Sequence, residues 1–228
     1  MKKEKISEVT TNRLSLYLRY LNEAEAAGTR TVSSQAMAER LHLNSAQIRK
    51  DLGHFGELGR RGLGYSVPEL RDHLSRVLGL DREHRFCIIG AGRLGTALAH
   101  YYGFRKVNFT VCALFDTDRT KIGKNVADIP VLDLNSFADT VKQYNIELAV
   151  IAVPADEAQA ALDRAADAGI RAIMNFAPVA LRAPKGIRLK TVDLTTLLES
   201  LAYFLAQPTR RRRNRAANST TKTSSKEV

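Results

Sequence analysis

The run Gly90-Ala91-Gly92-Arg93-Leu94-Gly95 constrains this 228-residue chain more than any other feature. It follows a short apolar run, Phe86-Cys87-Ile88-Ile89, and opens a helical pattern, so three glycines stand where a buried strand hands over to a helix. In such a turn each glycine has a separate task. Gly90 permits the tight turn, Gly92 lets the backbone approach a pyrophosphate, and Gly95 lets helix and strand pack closely. The helix N-terminus then turns free N–H groups toward the phosphates. Asp116 ends the next apolar run, 109–115, and lies 21 residues after Gly95. A carboxylate there accepts from ribose hydroxyls and repels a 2′-phosphate, which favours NAD(H) over NADP(H). Asp118 competes for the role, and Asp116 could instead be a helix cap or turn residue.

Further apolar runs at 148–153 and 170–174 alternate with helical segments at 133–144 and 155–168. Strands alternating with helices mean a parallel sheet covered on both faces, a Rossmann-type α/β domain. Ligands sit at the carboxyl ends of such strands. Two loops fall there, Val153-Pro154 and Asn175-Phe176-Ala177-Pro178, and both are candidates to line a nicotinamide pocket, although Pro and Asn are also ordinary turn makers. A last apolar helix over 194–206 carries Leu194, Leu197, Leu198, Leu201, Phe204 and Leu205.

Ahead of the sheet the pattern differs. Leu14, Tyr17, Leu18 and Leu21 recur at helical spacing up to Gly28, and a short helix from Ser33 or Ser34 to Leu41 buries Ala36, Met37 and Leu41. Asn44 can cap a third helix, with Gln47 completing a capping box. The glycine-rich stretch 56–67 reads as a hairpin, and Pro68 suits the first turn of a fourth helix. Three short helices followed by a hairpin fit a winged helix-turn-helix, whose third helix enters the major groove. Ser45, Gln47, Arg49 and Lys50 offer donors for base edges there, and Arg60, Arg61 and Gly62 place two guanidinium groups at a hairpin tip that could reach the minor groove. The competing reading is a helical dimerisation bundle with a solvated charged face.

The formal net charge of +11 points to a polyanionic partner, and its distribution sharpens the point. Residues 1–80 hold 13 basic and 9 acidic side chains, residues 81–206 hold 15 and 14, and residues 207–228 hold 7 and 1. The last block has no apolar periodicity and reads as a disordered basic tail. No apolar run reaches the roughly 18 residues that span a bilayer. The charged N-terminus has no apolar segment behind it, unlike a signal peptide. Cys87 and Cys112 are too few for a disulfide framework, which fits a cytoplasmic location. The expected domains are 1–80, 81–193, the helix 194–206 and the tail 207–228.

Catalysis is not expected. Of the five histidines only His100 falls within the nucleotide-binding region, and no metal-ligand spacing occurs. Competing functions are a small NAD-dependent oxidoreductase with a helical extension, a CoA-binding regulatory domain, and a nucleic-acid chaperone led by the tail. Asp116 argues against CoA, whose ribose carries a 3′-phosphate.

The run Ile48-Arg49-Lys50-Asp51-Leu52 with Phe55-Gly56, then Gly62-Leu63-Gly64-Tyr65-Ser66-Val67, then 90–95, then 175–178, resembles the Rex redox-sensing transcriptional repressors in the same order over about residues 9–206. The resemblance implies a homodimer in which a winged-helix domain joins a Rossmann domain, with Tyr65 in the wing among the DNA-contacting residues. It implies operator binding when NADH is scarce and release when NADH binds, with NADH and NAD+ as allosteric ligands and no metal or membrane partner. It implies that helix 194–206 is swapped into the partner. It also implies a nicotinamide-linked switch of Arg19, Tyr101 (with Tyr102 beside it as the other candidate) and Asp193.

Overall fold

The computed structural model describes residues 7–56, 58–60 and 62–206, so Arg61 and the tail from 207 lie outside the described residues. Ser7 opens α1 (Glu8–Ala26), its hydroxyl accepting from the Thr10 N–H at 3.1 Å. Ser33 caps α2 (Ser34–Leu41) through the Ala36 N–H, and Asn44 caps α3 (Ser45–Gly53) through the Ala46 N–H at 2.7 Å. The capping box read from Asn44 and Gln47 does not form, because the Gln47 amide turns to Asp51 instead. On α2 Met37 is buried as expected, with Ala38 beside it, whereas Ala36 is exposed and Leu41 half-buried.

The expected turn is closed by an antiparallel bridge between Arg60 and Gly64, and it gains a strand partner from outside its own stretch. β1 (Thr31–Val32), before α2, pairs antiparallel with β2 (Tyr65–Ser66), matching Val32 to Tyr65. Gly64 has a φ of +87°, and a Cβ there would lie 2.4 Å from the Val32 carbonyl oxygen, so only glycine lets the loop close on β1. α4 (Val67–Val77) follows directly with Pro68 in its first turn. Leu14, Tyr17, Leu21, Met37, Ile48, Leu52, Leu70 and Leu74 form the core of this unit. The unit runs up to His84 and takes in Tyr102–Thr110.

The second unit holds Arg85–Tyr101 and the described residues from Val111 onward. Its strands are β3 (His84–Ile89), β4 (Phe109–Asp116), β5 (Asn125–Val126), β6 (Ile129–Asp133), β7 (Leu148–Ile151), β8 (Ala172–Asn175) and β9 (Arg188–Thr191). They lie in the order β5-β6-β4-β3-β7-β8-β9. β7 pairs parallel with β3 and with β8, β6 with β4, and β9 with β8, while the edge strand β5 runs antiparallel to β6. Helices α5 (Arg93–Ala99), α6 (Phe137–Gln143) and α7 (Ala158–Asp167) connect them. Phe115, Phe137, Ile151, Leu162 and Ile173 are among the side chains buried against the sheet. The parallel sheet expected from strand–helix alternation is present, with β6 and β9 beyond the four strands read from apolar runs. Chain order reverses between β3 and β7, which puts the crevice at their carboxyl ends.

α8 (Leu194–Ala206) closes the described chain and has no buried residue. Leu197, Leu198, Leu201 and Phe204 are each 60% exposed or more. About 1.5–3 kcal/mol is gained for each such side chain that is buried. A helix leaving this many large apolar side chains in water is built to be covered.

Candidate functional site

The glycine loop has the geometry its spacing asks for. Gly90, at φ +102°, follows β3, and a Cβ on it would lie 2.5 Å from the Ala152 carbonyl oxygen and 2.9 Å from a Val153 methyl. A Cβ on Gly95 would lie 1.9 Å from the Gly90 carbonyl oxygen, so α5 rests directly on the turn. Gly92 differs from both: a Cβ there meets nothing within 4 Å. Neighbouring protein atoms therefore forbid side chains at 90 and 95, while 92 faces open space, as a position reserved for a ligand's phosphates requires. Ala91 is buried, and Arg93 and Leu94 are exposed on the first turn of α5.

Asp116 stands at the end of β4 with both oxygens engaged. Oδ2 accepts from the Ala91 N–H at 2.8 Å and from Lys121 Nζ at 3.0 Å, and Oδ1 accepts from the Asp118 N–H. Burial pushes its carboxyl up, but the Asp118 N–H, the Lys121 ammonium and the Ala91 N–H outweigh it and hold it below the usual carboxylate range. The residue expected to grip the ribose thus also ties down the glycine loop. Asp118 is half-buried and accepts from both the N–H and the hydroxyl of Thr120, the work of a turn former. Lys121 had not been singled out. Its place three residues beyond Asp118 and five beyond Asp116 was the available signal.

The two further loops converge on the same end of the sheet. Val153 packs beside the Gly90 turn, and the exposed Pro154 follows. Asn175 is fully buried; its Oδ1 accepts from the Ala177 N–H, and Nδ2 donates to the Ala177 and Val179 carbonyls. Both amide hydrogens are therefore used in shaping the loop that presents Phe176, Ala177 and Pro178. Cys87 on β3 is buried, and burial raises its thiol well above the ordinary value, which suits a packing residue.

On the first unit, Arg49 and Lys50 are exposed on α3, and Ser45 and Gln47 are half-buried near its start. Arg49 donates to Ser34 Oγ at 2.9 Å, linking α3 to α2. Gln47 Nε2 donates to Asp51 Oδ1 at 2.8 Å, and Asp51 also accepts from Arg13 at 2.6 and 2.8 Å and from the Tyr17 hydroxyl at 2.8 Å. Burial alone would raise the Asp51 carboxyl, yet the bonds from Arg13, Tyr17 and Gln47 hold it low. Sequence reading missed Asp51 and Arg13. The i, i+4 spacing from Gln47 to Asp51 was a local sign of one contact, but Arg13 and Tyr17 lie more than 30 residues away. Arg60 and Gly62 are exposed in the loop, and Tyr65 is half-buried.

The three switch candidates occupy different places. Arg19 is exposed on α1 in the first unit, and Tyr101 is exposed just after α5 in the second. Asp193 caps α8, its carboxylate accepting from the Thr195 and Thr196 N–H groups and from the Thr196 hydroxyl, which hold it below the usual range. Tyr102, the alternative to Tyr101, lies in a 3-10 helix with Lys106 over its ring.

Known proteins resemble the chain in both parts and as a whole. A family model described as "CoA binding domain" matches residues 81–179, and one described as "Putative DNA-binding protein N-terminus" matches residues 5–53. The crystal structure of RSP, a Rex-family repressor, aligns with a TM-score of 0.81 at 36% identity, covering 88% of this chain and 94% of that one. RSP in complex with beta-NAD+ and operator DNA aligns with a TM-score of 0.85 at 34% identity over 96% and 99% of the two chains. The redox-sensing transcriptional repressor Rex of Carboxydothermus hydrogenoformans is 45% identical over 89% of this chain and 98% of its own, and that of Brevibacillus brevis is 45% identical over 90% and 99%. With helix-turn-helix and glycine-loop sheet in one chain, and identity at this level over nearly the full length of both partners, the protein belongs to the Rex family of redox-sensing transcriptional repressors.

Proposed function

We propose that this protein represses transcription by binding operator DNA through its first unit when NADH is scarce, and lets go when NADH occupies the glycine loop of its second. The observation that carries this reading is the open Gly92 position beside Asp116, a dinucleotide site on the same chain as a helix-turn-helix with Arg49 and Lys50 exposed on α3. RSP, similar along its whole length, is known in complex with beta-NAD+ and operator DNA and with beta-NADH. Its role is regulatory: the relatives are named as repressors, and no histidine falls in the loops after β3, β7 or β8 to move a proton at a nicotinamide. A repressor works where DNA is, in the cytoplasm. The name of the matching CoA family does not change the ligand, because Asp116 suits a free ribose diol.

α8 supports a homodimer. Its apolar face is uncovered in one chain, and a second copy that exchanges the helix covers it twice over. Two copies of α3 then read two half-sites about 34–36 Å apart. Ser45, Gln47, Arg49, Lys50, Arg60, Arg61, Gly62 and Tyr65 form the DNA face, and Gly90–Gly95, Asp116, Val153–Pro154 and Asn175–Pro178 form the NADH and NAD+ site. Arg19, Tyr101 and Asp193 are the switch residues. Operator binding titrated with NADH at fixed NAD+, at two salt concentrations, tests the reading. Release that follows the NADH/NAD+ ratio at both salts is expected; operator affinity indifferent to NADH overturns it.

A further inference from the structure

Asp51 decides which way Gln47 faces. A carboxylate accepts and never donates, so Gln47 can meet it only through its amide N–H, and Nε2 lies 2.8 Å from Asp51 Oδ1. The carboxylate is itself immobile. It is 1% exposed, Arg13 clamps it with two hydrogen bonds, and Tyr17 adds a third. Turning the amide over would set its oxygen against a buried negative charge. Gln47 is the third residue of α3, near the end that meets base edges in a helix-turn-helix.

We infer that Asp51 is a positioning residue that takes one amide N–H of Gln47 and so fixes its carbonyl oxygen, with the second N–H beside it, toward DNA, and that the fixed oxygen makes Gln47 select a base carrying an exocyclic amine in the major groove. Adenine and cytosine offer that amine; guanine and thymine place an acceptor oxygen there, opposite the Gln47 carbonyl. A glutamine free to rotate has no such bias. The inference rests on α3 being the recognition helix, as proposed above.

The test is a full-chain binding screen in which every base pair of one operator half-site is replaced in turn. The variants are Gln47→Met, Asp51→Asn and, as a control on α3 itself, Lys50→Ala. The natural chain should show one position where adenine or cytosine is favoured about tenfold over guanine and thymine. Gln47→Met keeps the side-chain length and removes both amide groups, so that one preference should fall below about twofold while the others stand. Asp51→Asn, checked for its melting temperature, should relax the same position, because an asparagine accepts either face of the Gln47 amide. Uniform weakening across all sequences in Gln47→Met, or a preference there for guanine or thymine, overturns the inference and leaves α3 on the DNA. An unchanged profile in Asp51→Asn overturns the role of Asp51. Unchanged affinity in both Gln47→Met and Lys50→Ala overturns the placement of α3 on DNA and the inference with it.

Discussion

Gly92→Ala and Gly95→Ala are the same chemical change three residues apart, and the structure expects opposite consequences. Gly92 has φ −79° and ψ −168°, extended backbone that alanine adopts freely, and its added methyl meets no protein atom within 4 Å. Ligand-free Gly92→Ala should therefore melt at or slightly above the natural chain, since replacing glycine at a compatible site stabilises by about 0.4–1 kcal/mol. The methyl takes the space a pyrophosphate needs against the backbone. If forcing it in costs about as much as overpacking a core, roughly 1–3 kcal/mol, NADH affinity falls about 5- to 150-fold. In Gly95→Ala the methyl would lie 1.9 Å from the Gly90 carbonyl oxygen, and the opposing atom is backbone. α5 must lift off the turn, so the cost comes at or above the upper end of that roughly 1–3 kcal/mol range, before any ligand is added. Melting curves without ligand and NADH fluorescence titrations separate the two effects. Natural NADH affinity in a well-folded Gly92→Ala would sink the argument, as would equal loss of melting temperature in both variants.

Asp116→Asn should weaken NADH and narrow its preference over NADPH, because the repelling charge is gone and Lys121, 3.0 Å away, is freed to meet a 2′-phosphate; paired titrations with the two cofactors check this. Asp51 has a folded pKa below its unfolded value near 3.8, so it contributes stability above about pH 4 that disappears as pH falls through the lower folded value; Asp51→Asn should flatten acid unfolding in that window, read by circular dichroism. Deleting 194–206 should leave monomers in sedimentation velocity, since the apolar face of α8 is what a second copy would cover. Asp193→Asn keeps a capping oxygen and loses only the charge, whereas Asp193→Ala loses both; if the charge is the switch, operator binding should lose NADH sensitivity in both variants, with only the alanine variant costing about 1 kcal/mol at the α8 cap.

What the sequence revealed follows from how local each constraint is. The roles of Gly90, Gly92 and Gly95 were legible because each is a steric demand within one strand–turn–helix step, and the contacts at Ala152, Val153 and Gly90 are those demands made visible. Asp116 was legible by spacing. Its bond to the Ala91 N–H was not, because that needs β4 laid beside β3. β9 escaped notice because Arg188-Leu189-Lys190-Thr191 is a largely exposed, basic edge strand with no apolar run. The Arg60–Gly64 bridge is the turn that the glycines of 56–67 announce, but nothing in that stretch announces that Tyr65–Ser66 pairs with Thr31–Val32, more than 30 residues earlier. Gln47 was read as a capping partner and a base reader on local grounds. Its amide answers to Asp51, which Arg13 and Tyr17 hold from another helix, so its orientation is a tertiary fact.

The same geometry narrows where NADH and NAD+ can be told apart. A ligand shifts a conformational equilibrium only by its differential affinity for the two states. The two cofactors share the pyrophosphate and the adenosine ribose, so in the proposed site Gly90–Gly95 and Asp116 would supply affinity that is common to both and would not drive the switch. Discrimination must arise at the nicotinamide, where the oxidised ring carries a positive charge and the reduced ring does not. Asn175 lies in a loop expected to line that end of the site, yet both its amide hydrogens are bound to the Ala177 and Val179 carbonyls. It shapes the loop and has no donor to spare. In the proposed switch, ring charge would then be read by groups that can change partners, and Asp193 is the candidate. Its present hydrogen bonds are the exposed cap of α8, which other donors can replace at the cost of about one helix cap. In the proposed switch, a carboxylate that caps α8 and leaves that cap for a tyrosine or an arginine would tie the state of the nicotinamide to the packing of a dimer.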